Sequence, residues 1–135
     1  MYRQRGLTLV ELMVVVAVMA IIATVAYPMY TAQVQKSRRA DAKIALQMIA
    51  TAQERYFTLN GSYAATLSSL DVSADIQGGA SDEGHYDITI ARPQIDQFTA
   101  TAATASGGAQ ASDTACASLT LDHVGTKGAT SASCW

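Results

Sequence analysis

The sequence predicts an α+β layer: one long N-terminal helix packed on an antiparallel sheet of three or four strands. Three observations predict it. An apolar run from Leu7 to Tyr27 leads, across Pro28, into an amphipathic stretch that reaches Thr58. Short alternating apolar and polar segments follow between His85 and Asp122. Turn residues separate those segments, as Arg92-Pro93-Gln94 and Gly125-Thr126-Lys127-Gly128 do. A helical half followed by a run of strands is an α+β pattern. The 135 residues allow one small domain besides the long N-terminal segment, and the net charge is −2.

The apolar run comes first. Leu7 to Tyr27 is 21 residues, with Glu11 the only charge and Thr8 and Thr24 the only threonines. As a helix it spans roughly 31 Å, against about 30 Å for the hydrocarbon core of a bilayer. Only a helix satisfies the backbone of a lone segment in lipid. A secretory signal has a shorter apolar region, about 7–15 residues, and a small-residue cleavage site after it. Here Thr24-Val25-Ala26 runs into bulky Tyr27 and Pro28, so the expected processing point lies before the run, at Gly6. Glu11 costs roughly 2.5–3.5 kcal/mol at a helix centre in lipid and less near an end. It either reaches back to the interface or meets a cation on a neighbouring helix. Pro28 removes a backbone donor and is expected to kink or loosen the helix.

The amphipathic half carries Ala42, Ala45, Met48 or Ile49, Ala52 and Tyr56 at steps of three and four, one stripe suited to a sheet. Arg38, Arg39, Lys43, Gln47 and Glu54 lie largely off it. Asn60-Gly61 is the stop, with glycine suited to a left-handed C-terminal position. Residues 62–84 read as a connection with room for one helical turn. Its acids, Asp71, Asp75, Asp82 and Glu83, lack the spacing of a calcium loop. His85–Ala91 reads as a strand with Tyr86, Ile88 and Ile90 on one face, Arg92-Pro93-Gln94 as its turn, and Ile95–Ala103 as a second strand with Phe98 inside. Cys116–Asp122 is a third strand with Leu119 and Leu121 inward.

Gly6-Leu7-Thr8-Leu9-Val10-Glu11 resembles the class III signal of the type IV pilin family. Gly6 falls on the family's leader glycine, Glu11 on its glutamate and Pro28 on its proline. The match implies cleavage after Gly6 by a prepilin peptidase and N-methylation of the new first residue, Leu7. The family's usual phenylalanine is leucine here. The resemblance also implies that Glu11 meets the freed α-amine of Leu7 on a neighbouring subunit, a directional contact that sets register in a dry bundle. It implies the pilin fold and three segments: leader 1–6, membrane and filament-core helix 7–30, periplasmic head 31–135. The leader, with Arg3 and Arg5, stays cytoplasmic, and the single-pass precursor sits in the bacterial inner membrane until it enters a cell-surface pilus. The implied partners are other pilin subunits, the peptidase, the inner-membrane assembly platform and, before assembly, lipid. Gln53 to Phe57 with Asn60 to Tyr63 resembles the end of the long helix in this family.

Cys116 and Cys134 then lie outside the cytoplasm, where disulfides persist. A bridge over the 17 residues between them is worth on the order of 3 kcal/mol and ties the tail to the third strand. The rival is a metal site with His85 and His123, but no ligand pair stands two to five residues apart. This tail resembles the cysteine-bounded region of pilins, most of all the PilE-type minor pilins. No catalytic residues, cofactor or metal site are expected: no serine elbow, phosphate loop or Cys-x-x-Cys occurs.

The expected function is a structural subunit of the type IV pilus, a minor pilin needed for assembly and so for twitching, adhesion or DNA uptake. One alternative is a DNA-binding pilin of the uptake machinery, similar to pilins of the ComP kind; another is a pseudopilin of type II secretion. DNA is not favoured. Beyond Tyr30 stand seven Lys/Arg against ten Asp/Glu. From Asp71 onward only Arg92 and Lys127 are basic, against eight acids, whereas DNA binding needs clustered cations.

Overall fold

The structure is a computed structural model that describes residues 8–135. Gly6 and Leu7, the expected cleavage and methylation positions, lie outside the described residues. The chain divides into two compact units, Met1–Val34 and Gln35–Trp135. Helix α1, Leu9–Asn60, supplies the helical part of the first and the opening element of the second. It runs through Pro28 without a break in its helical assignment.

In the second unit α1 buries Asp41, Ala42, Ala45, Leu46, Ile49, Ala52 and Gln53. The helical period thus selects Ile49, fully buried, over Met48, which is 37 % exposed. The helix stops at Gly61, whose φ of +69° needs no side chain and whose N–H donates to the Phe57 carbonyl at 2.8 Å. The connection holds a short 3-10 turn at Leu67–Ser69 and helix α2, Ala74–Gln77. Ser73 caps α2 by accepting from the Ile76 N–H, and Ile76 is fully buried.

Four strands follow: β1 Tyr86–Gln94, β2 Gln97–Thr104, β3 Ser118–Asp122 and β4 Lys127–Ala129. They form one antiparallel meander in sequence order. Tyr86 pairs with Thr104, Ala102 with Leu119, and Thr120 with Gly128. The expected first turn is corrected. Pro93 lies within β1, and Ile95-Asp96 makes the turn, with Ile95 65 % exposed. Proline is tolerated there because β1 is an edge strand and its register slips between Ala91 and Gln94. Cys116 stands in a 3-10 turn, Thr114–Cys116, ahead of β3 rather than in it. The core gathers Leu46, Ile49, Ile76, Tyr86, Ile88, Phe98, Leu119 and six alanines, among them Ala42 and Ala45 of α1 and Ala100 and Ala102 of β2. Tyr63 stands between Phe57 and Phe98, with ring centroids at 4.7 and 4.8 Å.

Candidate functional site

The first unit is set apart by what it leaves uncovered. Every large apolar side chain of α1 between Leu9 and Tyr30 is 50–74 % exposed. Soluble monomers rarely leave an apolar patch larger than a few hundred Å² uncovered. The segment is long and apolar enough to cross a membrane, and none of it is buried. Two threonine hydroxyls of this part of α1 are satisfied within the helix. Thr24 Oγ1 donates to the Ile21 carbonyl at 2.7 Å, and Thr31 Oγ1 to the Pro28 carbonyl at 2.9 Å.

Glu11 stands in the first turn of α1 and is exposed. Thr8 Oγ1 accepts from the Glu11 N–H at 3.2 Å, and the Thr8 carbonyl accepts from the Leu12 N–H at 3.2 Å. Thr8 is therefore the cap of α1, with the glutamate three residues on, the spacing of a capping box. The carboxylate also complements the positive end of the helix dipole. The pattern Thr-x-x-Glu before an apolar run carried this role in the sequence.

The second unit is a closed head. Cys116 and Cys134 are bonded, with Cα atoms 5.6 Å apart. The Trp135 indole N–H donates to the Gly128 carbonyl at 2.7 Å, and the Lys127 ammonium lies 5.0 Å from the ring centroid. The tail is thus fastened to β4 as well as to the turn before β3.

The head also contains polar ties that periodicity did not disclose. Arg39, expected off the buried stripe, turns inward. Its Nε and Nη2 donate to the two oxygens of Asp113 at 2.7 and 2.8 Å. That hydrogen bond, against the opposing effect of burial, holds the guanidinium above its ordinary value. Asp41 accepts from the Ser81 hydroxyl at 2.6 Å and from the Glu83 N–H at 3.3 Å. Gln53 bonds Ala64 twice, giving to its carbonyl and accepting from its N–H. Tyr86 is fully buried, and burial pushes its phenol up. Tyr63 is pushed up to about 12, first by burial and then by the bond from its hydroxyl to Glu54 at 2.8 Å. His85 lies 3.5 Å from Glu83, and His123 packs edge-on to Tyr63, so both are half-buried rather than freely exposed.

Comparison with known proteins follows these two units. Residues 28–120 match the family model for the type IV minor pilin ComP, DNA uptake sequence receptor. Residues 1–27 match the prokaryotic N-terminal methylation motif. The chain is 39 % identical over 61 residues to the type IV major pilin protein PilA of Myxococcus xanthus (strain DK1622). That stretch is 45 % of this chain and only 28 % of the relative's length. A type IV pilin from Shewanella oneidensis superposes with a TM-score of 0.55 at 25 % identity, over 75 % of this chain and 97 % of that one. The non-core minor pilin PilV of Neisseria meningitidis gives 0.54 at 19 % identity, over 72 % and 87 %, a likeness of fold alone.

Proposed function

The chain belongs to the type IV minor pilin ComP family, and from that premise we propose that it is a minor subunit of a type IV pilus, needed for filament assembly. The observation that carries this reading is the apolar half of α1, exposed throughout and bearing a single carboxylate, Glu11, in its first turn. The family and fold are those of structural filament proteins.

In this reading the precursor sits in the inner membrane through residues 7–30, with residues 31–135 in the periplasm. The peptidase cuts after Gly6, and the new terminus at Leu7 is methylated. On leaving the bilayer the helix exchanges lipid neighbours for the helices of other subunits. That exchange is nearly neutral in hydrophobic terms, so polar contacts set the register. Glu11 supplies one by facing the Leu7 amine of a neighbour. Pro28 loosens the backbone where the apolar run ends. The disulfide-closed head faces outward.

The test replaces Glu11→Ala in the full chain in its own cell. The variant is expected to insert and to be cleaved as the parent is, while its amount in sheared pili falls at least about tenfold. Parental incorporation of the variant would remove the assembly role of Glu11.

The family, that of ComP, DNA uptake sequence receptor, favours a second reading, a receptor for DNA. The charge distribution counts against a purely electrostatic grip, since Asp71 to Trp135 carries eight acids and two bases. The full chain in neutral detergent is expected to give no salt-sensitive mobility shift of labelled duplex DNA. A shift that weakens steeply with salt would establish the receptor reading.

A further inference from the structure

One turn of α1 and one loop of the head are bound by an unusual concentration of side-chain bonds. Gln35 Nε2 donates to Ser112 Oγ at 3.0 Å, and the Gln35 carbonyl accepts from Gln110 Nε2 at 3.1 Å. Arg38 Nη1 donates to the Ala109 carbonyl at 3.1 Å. Arg39 grips Asp113 with two bonds, and Gln110 Nε2 adds a third to that carboxylate at 2.8 Å. The Asp113 carboxylate is therefore committed on both oxygens. It caps no N–H of the 3-10 turn it precedes, although it occupies the capping position.

The loop that presents Asp113 is a chain of tight turns ending at a cysteine. The Ala111 N–H donates to the Gly108 carbonyl, the Asp113 N–H to Gln110, and the Cys116 N–H to the Asp113 carbonyl at 3.1 Å. Gly107 has a φ of +74°, and a side-chain carbon at Gly108 would stand 3.2 Å from the Ala105 carbonyl oxygen. The shape is thus specific to this sequence. Its far end is bonded through Cys116 to Cys134, in the tail that Trp135 fastens to β4.

We propose that the Cys116–Cys134 disulfide is the latch that keeps Asp113 aimed at α1, so that fastening the tail and fastening the helix are one event. Asp113 is a positioning residue that carries the constraint. Without the bridge, the loop keeps its anchorage at the β2 and β3 ends, where the Thr104 N–H meets the Ala117 carbonyl, and its bonds to Gln35 and Arg38, but loses the covalent tie at Cys116, three residues from Asp113. The Arg39 pair must then hold the loop against its own conformational freedom. This inference does not depend on the subunit reading.

The test is hydrogen exchange on the full chain in detergent micelles for four proteins: the parent, Cys116→Ser with Cys134→Ser, Asp113→Asn, and all three changes together. Amides of residues 36–43 report the clasp, and amides of residues 99–103 in β2 report the fold. The serine pair is expected to raise exchange in 36–43 about tenfold with β2 unchanged, a coupling in the middle of the range for residues sharing a network. Asp113→Asn alone is expected to do the same, and to add less than about twofold once the serines are present. Unchanged protection in 36–43, or effects that simply multiply, would overturn the proposal. Should the serine pair also lose β2, the reciprocal measurement decides. Coupling is mutual, so Asp113→Asn must make the disulfide easier to reduce by the same factor. An unchanged dithiothreitol midpoint in that variant overturns the latch.

Discussion

The two units of this chain share one helix and treat it in opposite ways. Up to Val34, α1 buries no apolar side chain among the described residues, and its charge is the single carboxylate of Glu11. From Gln35 on, α1 buries seven residues, two of them polar, Asp41 and Gln53, and both are bonded. The same backbone therefore serves two economies. In the head, Asp41 and Gln53 are tolerated because partners within the chain meet them. In the apolar half, the Glu11 backbone N–H donates to the Thr8 hydroxyl at the cap, and the carboxylate itself remains exposed for a partner outside the chain.

The comparison breaks first in the core. Phe98→Ala empties a fully buried aromatic site and is expected to cost the head about 3–5 kcal/mol in denaturant unfolding. The apolar helix should keep its helical circular dichroism in micelles. Loss of both together would mean that the units unfold as one. Asp41→Asn is the next largest change. It keeps the shape but weakens the acceptors facing Ser81 and Glu83, for about 1–3 kcal/mol, read by the same unfolding experiment. The smallest effect is alkaline. Tyr63 holds its proton to about 12 in the folded head against 10 in the unfolded chain. Above pH 10 the unfolded chain loses that proton first and binds fewer protons than the native state. Stability therefore falls as pH rises from 10 toward 12. Tyr63→Phe should flatten that slope, and an unaltered slope would place the titrating group elsewhere.

Much of the architecture was legible in the residues. The apolar run, the Asn60-Gly61 stop and the alternation of Tyr86, Ile88, Leu119 and Leu121 each reflect a local period, and local periods survive folding. The Cys116–Cys134 pairing followed from compartment and count. The misses have physical causes. Pro93 reads as a turn unless β1 is known to be an edge, which only the topology reveals. Arg39 reads as a solvated cation because its partner, Asp113, lies 74 residues away. Thr8 and Glu11 have capping-box spacing, but the apolar run around them is what marks this stretch in the sequence. The expectations at Gly6 and Leu7 concern processing, which the fold of the head does not determine.

The meander has a further consequence, for the order of folding. Each strand pairs with the strand before it, β1 with β2 across the tight Ile95-Asp96 turn and β2 with β3 across the longer loop 105–117. The sheet's own pairings are therefore closer in sequence than most contacts between α1 and the head, and closer contacts form faster. The polar ties that reach across the chain include Arg39 to Asp113, Gln35 to Ser112, Gln110 to Gln35, Arg38 to Ala109 and Asp41 to Ser81. These bring the slow, entropically expensive closures. The head should therefore assemble as a sheet first and capture its helix afterwards, with the polar clasp forming on the native side of the folding barrier. Strengthening the clasp would then slow unfolding and leave the folding rate almost untouched.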